Sequence, residues 1–141
     1  MATLTVTIRE EIVLNESDHG SESVTDITSV TQMFERVIDC TVAEMTLLSF
    51  GTAAGGATFV DAGLKYVRIT NTDATNFVTL RVLGNSEEYF VKLEPKGSFV
   101  LFNDKMDANA SGSASATLAN IDDIKGAADT ATCQLAIFAA A

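Results

Sequence analysis

Tryptophan is absent from these 141 residues, proline and histidine occur once each, and cysteine occurs twice. Basic residues are also scarce: nine against nineteen acids leave a net charge of −10 and a pI near 4.3. A nucleic-acid binder needs a Lys/Arg footprint for phosphates, and docking on anionic membranes needs the same, so both classes are disfavoured. With no Trp and only two Tyr, the ring platforms on which most sugar sites rely are missing. Long apolar runs are missing too. Threonines interrupt the N-terminal MATLTVTIREEIVLN, which has no basic stretch before it, and the C-terminal QLAIFAAA is too short for a bilayer. The sequence therefore predicts neither a signal peptide nor a membrane span. Cys40 and Cys133 sit in apolar runs with no CxxC or neighbouring histidine. That pattern disfavours zinc or redox chemistry and, in a reducing compartment, points to two buried free thiols.

What remains is a chain 47% hydrophobic and 20% charged, of a length suited to one domain over 1–141. It is too rich in aliphatic and β-branched residues to be a disordered acidic tail. The dominant period is two. In residues 3–14, Leu4, Val6, Ile8, Ile12 and Leu14 share one parity, while Thr3, Thr5, Thr7 and Arg9 share the other, as in a half-buried strand bent near Glu10 and Glu11. NESDHG (15–20) reads as a turn. In 21–30, Val24, Ile27 and Val30 at spacing three fit either a helical turn or an irregular strand. Residues 31–40 alternate with Phe34, Ile38 and Cys40 inward. Runs at 46–50, 64–70, 77–83, 88–93, 98–102 and 131–139 are β-rich, and of their separators the short GNSE and EPKG suit antiparallel hairpins. Eight to ten strands with no adequate amphipathic helix predict an all-β protein, an antiparallel β-sandwich or jelly roll.

Chemistry-bearing constellations are weak. His19 lies beside Glu16, Asp18 and Glu22, but catalytic groups must converge from separate elements onto a pocket, so a solvated turn is the simpler reading. Asp104 with Asp107, or Asp122 with Asp123, lacks the spaced oxygen set that calcium needs. GTAAGG (51–56) lacks the lysine of a phosphate loop. Its small residues suit close contact with another surface, as do those of ASGSASA (110–116) within a polar loop or arm at 103–116. The apolar tail with Leu135, Ile137 and Phe138 reads as a last core strand or, alternatively, as a self-association patch. The expectation is a protein that is no enzyme and uses no cofactor or metal.

The stretch VRITNTDATNFVTLRVLGNSEEYFVKLEPKGSFVLFN (67–103), with Leu93, Pro95, Gly97 and Ser98 in its last turn, resembles small β-sandwich virion proteins of tailed phages. The opening apolar–Thr alternation and the polar turn around Asp18 and Gly20 are similar to phage proteins encoded beside other virion components. The resemblance implies a capsid decoration (cement) protein on the exterior of the virion. Its partners would be the major capsid protein and its own copies, as dimers or trimers. The alternatives are a tail, neck or fibre component and, in another class, a ligand-binding module or enzyme. Under the first reading the candidate interface residues are Thr3, Thr5, Thr7 and Arg9, then Gly51, Gly55 and Gly56. Asn109, Ser111 and Gly112 in the arm, and Phe138 and Ala141 in the tail, complete the set. On this reading the last four residues are expected to be removable without unfolding the core.

Overall fold

The structure is a computed structural model that describes residues 1–51, 58–60, 63–84, 86–106 and 118–141. Among these residues it contains thirteen strands and no α-helix. The chain divides into two compact units, Met1–Thr31 and Gln32–Ala141.

The first unit is a single antiparallel ribbon of β1 (Ala2–Leu14) and β2 (Ser17–Val30). Asn15 and Glu16 form its two-residue turn with φ of 52° and 63°, the positive pair that a type I′ hairpin turn requires. The turn expected over 15–20 is thus confined to two residues, and β1 runs in register through Glu10 and Glu11. The ambiguous 21–30 segment is strand. Its Ile27–Val30 spacing comes from a bulge: Leu4 pairs with Ile27 but Ala2 with Val30, and Ser29 adopts φ 60°, whereas Val24 pairs with Thr7 and lies on the other face. One extra residue on β2 switches the parity, so Ile27 and Val30 share a face despite their odd separation.

The second unit begins with β3 (Met33–Cys40), β4 (Met45–Gly51), β5 (Thr58–Val60), β6 (Tyr66–Asn71) and β7 (Val78–Gly84). It continues with β8 (Glu87–Leu93), β9 (Ser98–Leu101), β10 (Lys105–Met106), β11 (Ala119–Asn120), β12 (Asp123–Ala128) and β13 (Cys133–Ala140). A five-stranded sheet has the order β5-β4-β12-β7-β8, and a four-stranded sheet the order β3-β13-β6-β9. Leave out the short β5, which pairs parallel to β4, and the small β10–β11 pair. The other eight strands, counted along the chain, then run first-eighth-third-sixth in one sheet and second-seventh-fourth-fifth in the other. That is the jelly-roll order, with every remaining neighbour antiparallel. The all-β sandwich expected from the alternation is therefore present, and its strands all belong to residues 32–141.

Inward positions of both sheets meet in one core, with Leu48, Leu80 and Ile124 from one side and Val67, Ile69, Leu135 and Ile137 from the other. The sequence expects GNSE and EPKG to close hairpins. GNSE does, between β7 and β8. EPKG does not: it carries the chain from β8 in one sheet to β9 in the other. Pro95 precedes Lys96 at φ 61°, and Gly97 N–H donates to the Glu94 carbonyl at 2.9 Å, the pattern of a type II turn.

This turn locks against another sheet-to-sheet crossing, residues 72–77, through Asn71 N–H to Gly97 O (3.0 Å) and Lys96 N–H to Asp73 O (3.2 Å). Asp73 organises that crossing by accepting the N–H groups of Thr75 and Asn76, each at 2.7 Å. These bonds, chiefly the one from Asn76, hold the Asp73 carboxyl below its ordinary value of 3.8. A depressed carboxylate contributes stability that is complete above its unfolded value and is lost as the pH falls through the folded one. Urea midpoints measured from about pH 5 to pH 2 should therefore fall less steeply for Asp73→Asn than for the native chain. Parallel slopes would show that the turn is not the acid-sensitive element.

Candidate interaction surfaces

The ribbon has two unlike faces. Pairing of Leu4 with Ile27, Val6 with Thr25, Ile8 with Ser23, Ile12 with His19 and Leu14 with Ser17 puts an aliphatic stripe from β1, interrupted by Glu10, beside Ile27 and four polar side chains from β2. Ile8, Ile12 and Leu14 remain 42%, 57% and 56% exposed. The opposite face carries Thr3, Thr5, Thr7 and Arg9, so four of the interface candidates do lie together, all exposed. It is the more polar side, though Val13 and Val24 are exposed on it: Thr5 Oγ1 donates to Asp26 at 2.7 Å, and Arg9 pairs with Glu11 at 2.8 Å. The stripe itself was legible in the period-two pattern. Its lack of cover was not.

Gly20 is required by a close approach. A Cβ there would stand 2.1 Å from the Glu10 carbonyl oxygen, so any side chain would force the two strands apart. Around it, Glu10, Glu11, His19 and Glu22 border an open depression of about 390 Å³. His19 is a strand residue here, not a turn residue. Asp18 and His19 are consecutive on a strand and point to opposite faces, so they do not form a converging acid–base pair. Among the described residues, no group of three or more His, Cys, Asp or Glu is arranged to hold a metal ion.

In the sandwich, Gly51 ends β4 with the Thr58 methyl 3.5 Å from where its Cβ would lie. Gly55, Gly56, Asn109, Ser111 and Gly112 lie outside the described residues, as does Asp107. Ala141 is 3% exposed and belongs to the chain's own core. Its N–H donates to Gln32 O (3.0 Å), and Gln32 N–H donates back to Ala141 O (2.9 Å). The tail is a structural strand flanked on both sides, not a removable arm. The expectation that its last four residues are dispensable is thereby corrected.

Phe138 is placed differently from its neighbours in the tail. Alternation along β13 turns Leu135, Ile137 and Ala139 inward and Ala136 and Phe138 outward, where Phe138 is only half-buried. Across the sheet it is paired with Glu35 on β3 and Arg68 on β6, and Arg68 is paired with Val100 on β9. Tyr66, in the adjoining row, makes edge-on contacts with Phe138 and Phe102 at centroid distances of 6.0 and 5.1 Å. Met33, Val37 and Val100 on the same face are 62%, 61% and 40% exposed. The sequence singled out Phe138 but not this company, because the residues come from four strands scattered along the chain. Edge strand β3 also carries Arg36 at an inward parity and exposed, a charge that discourages further strands from pairing there.

Cys40 and Cys133 stand directly opposite each other on β3 and β13, both wholly buried and free. Burial, with a smaller contribution from Cys133, pushes the Cys40 thiol up to about 11. Such a thiol is almost entirely protonated at neutral pH and is a poor nucleophile.

The fold and its surfaces define a jelly-roll sandwich preceded by an amphipathic β-ribbon. No protein-family model, curated protein or solved structure matches the chain.

Proposed function

We propose that the protein is a non-enzymatic virion structural protein, a capsid decoration protein. It would bind the major capsid protein on the outside of a phage head and brace contacts between capsomers. The observation that supports this most is the ribbon. Thirty-one residues form a unit of their own, and a two-stranded hairpin in water is only marginally stable. An aliphatic stripe left exposed on such a ribbon favours docking on a large partner surface. The ribbon carries six acids and one base, which favours a partner groove that is apolar with a basic rim. The jelly-roll order supports the reading by analogy of fold alone, since capsid proteins, lectins and cupins share it. Repeated copies on a symmetric shell would add avidity to a modest single contact.

The test uses virions of the phage that encodes the chain. Mass spectrometry of purified particles should find a copy number comparable to that of the shell protein. A handful of copies per particle would favour a tail or neck component, and none would overturn the virion assignment. Heads depleted of the protein should rebind it. The Ile12→Lys/Leu14→Lys variant, changed only at exposed positions, should rebind about 10–100-fold more weakly at unchanged melting temperature. Equal occupancy would remove the ribbon from the contact.

A further inference from the structure

Among the described residues, the outer face of the four-stranded sheet is a second surface without cover, and its occupant can be argued from its own charges. In one row across the sheet stand Glu35 on β3, Phe138 on β13 and Arg68 on β6. Glu35 and Arg68 are exposed, and among the described residues neither takes part in an ion pair. Phe138 stands between them, with their backbones two strand spacings, about 10 Å, apart. Across β3, β13 and β6 the row is thus negative, apolar and positive in turn, with Val100 on β9 beyond Arg68.

We infer that two copies of this chain pack through these outer faces about a two-fold axis running along β13. Such a rotation exchanges left and right across the strands and preserves position along them. Phe138 then meets the partner's Phe138, Glu35 meets the partner's Arg68, and Arg68 meets the partner's Glu35. Both ion pairs form at once, as an isologous interface requires. A two-fold axis running across the strands would instead place Glu35 on the partner's Glu35, which like-charge repulsion disfavours. The exposed Met33 and Val37 lie in the rows above and below and are covered by the same docking. About an axis on β13 only β3, β13 and β6 meet their counterparts, so the overlap spans about 26 Å along β13 and about 14 Å across three strands, from the usual rise and strand spacing. That is roughly 370 Å² per copy and about 750 Å² for the pair, below the usual size of a stable interface, so the dimer is expected to be weak and reversible. This inference does not depend on the capsid reading, because the face belongs to the sandwich and would serve any function.

Sedimentation equilibrium of the full chain, at about 10 μM to 1 mM to cover the weak association of so small an interface, tests it. The native protein should pass from its 14.9 kDa monomer to twice that mass. Glu35→Arg and Arg68→Glu should each raise the dissociation constant at least tenfold. The decisive arm is an equimolar mixture of the two variants. One then presents two positive ends and the other two negative ends, so the mixture should regain a heterodimer of near-native affinity. Val37→Lys, at an exposed position outside the charged row, should weaken both the native dimer and the mixed one. A chain that stays monomeric throughout, a threefold mass, or a mixture that does not recover association would each overturn the proposal.

Discussion

Removing Phe138–Ala141 should leave no folded sandwich. β13 lies inside its sheet, and the lost residues pair on one side with Met33, Phe34 and Glu35 and on the other with Tyr66, Val67 and Arg68. The deletion also strips the reciprocal Gln32–Ala141 bonds and the bond from Lys65 N–H to Ala140 O. It opens the core where Ala139 and Ala141 pack. Even at about 1 kcal/mol per backbone bond, the loss approaches the 5–15 kcal/mol that holds a typical domain together. The measurement is a thermal melt followed by circular dichroism, alongside recovery of soluble protein. No cooperative transition is expected. A truncated chain melting within about 3 °C of the native one, a shift worth roughly 1 kcal/mol or less, would show that the strand end is dispensable after all.

Asn71→Ala should be the most damaging single change to a polar side chain. Asn71 is fully buried at the end of β6, and its amide works at both ends. Nδ2 donates to the carbonyls of Asn76 (2.9 Å) and Leu93 (3.3 Å), while Oδ1 accepts the Asp73 N–H (3.0 Å). One side chain thereby ties β6, the 72–77 crossing and the end of β8 together. Alanine would abandon three backbone groups in a place that water reaches poorly. An orphaned buried group costs about 1–3 kcal/mol, so a total near 3–5 kcal/mol is expected, read as a melting temperature lower by about 10 °C or more. A shift below about 3 °C would mean that water replaces the amide without penalty.

These two effects mark where reading along the chain stops being informative. The strand runs at 64–70, 77–83 and 88–93 were legible because each needs only its own alternation. A turn was legible within 15–20 because residues such as Asn15 tolerate the conformation, but its confinement to Asn15 and Glu16 was not. In 21–30 the reading stayed open between a helical turn and an irregular strand for a local reason: the bulge at Ser29 puts Ile27 and Val30, three residues apart, on one face of what is a strand. The EPKG turn misled for a non-local one. Nothing in Glu94–Gly97 records whether the next strand joins the same sheet or the opposite one. Asn71 sits in a row of polar turn residues, NTDATN, and only the crossing of two loops around it makes it a core residue. The tail offered both a core and a patch reading, and the structure assigns alternate residues of one strand to each, Ile137 inward and Phe138 outward.

The sequence by itself determined that this protein is built from strands, that one parity of each strand is apolar, and that its surface is acidic. Those properties follow from side chains and their nearest neighbours in the chain. Only the tertiary structure decided which strands pair, and so brought Cys40 opposite Cys133, set Glu35 and Arg68 on either side of Phe138, and separated the ribbon from the sandwich. The physical reason is that strand pairing is made by backbone groups common to every residue. The choice among partners rests on the burial of whole faces, a quantity no single segment contains.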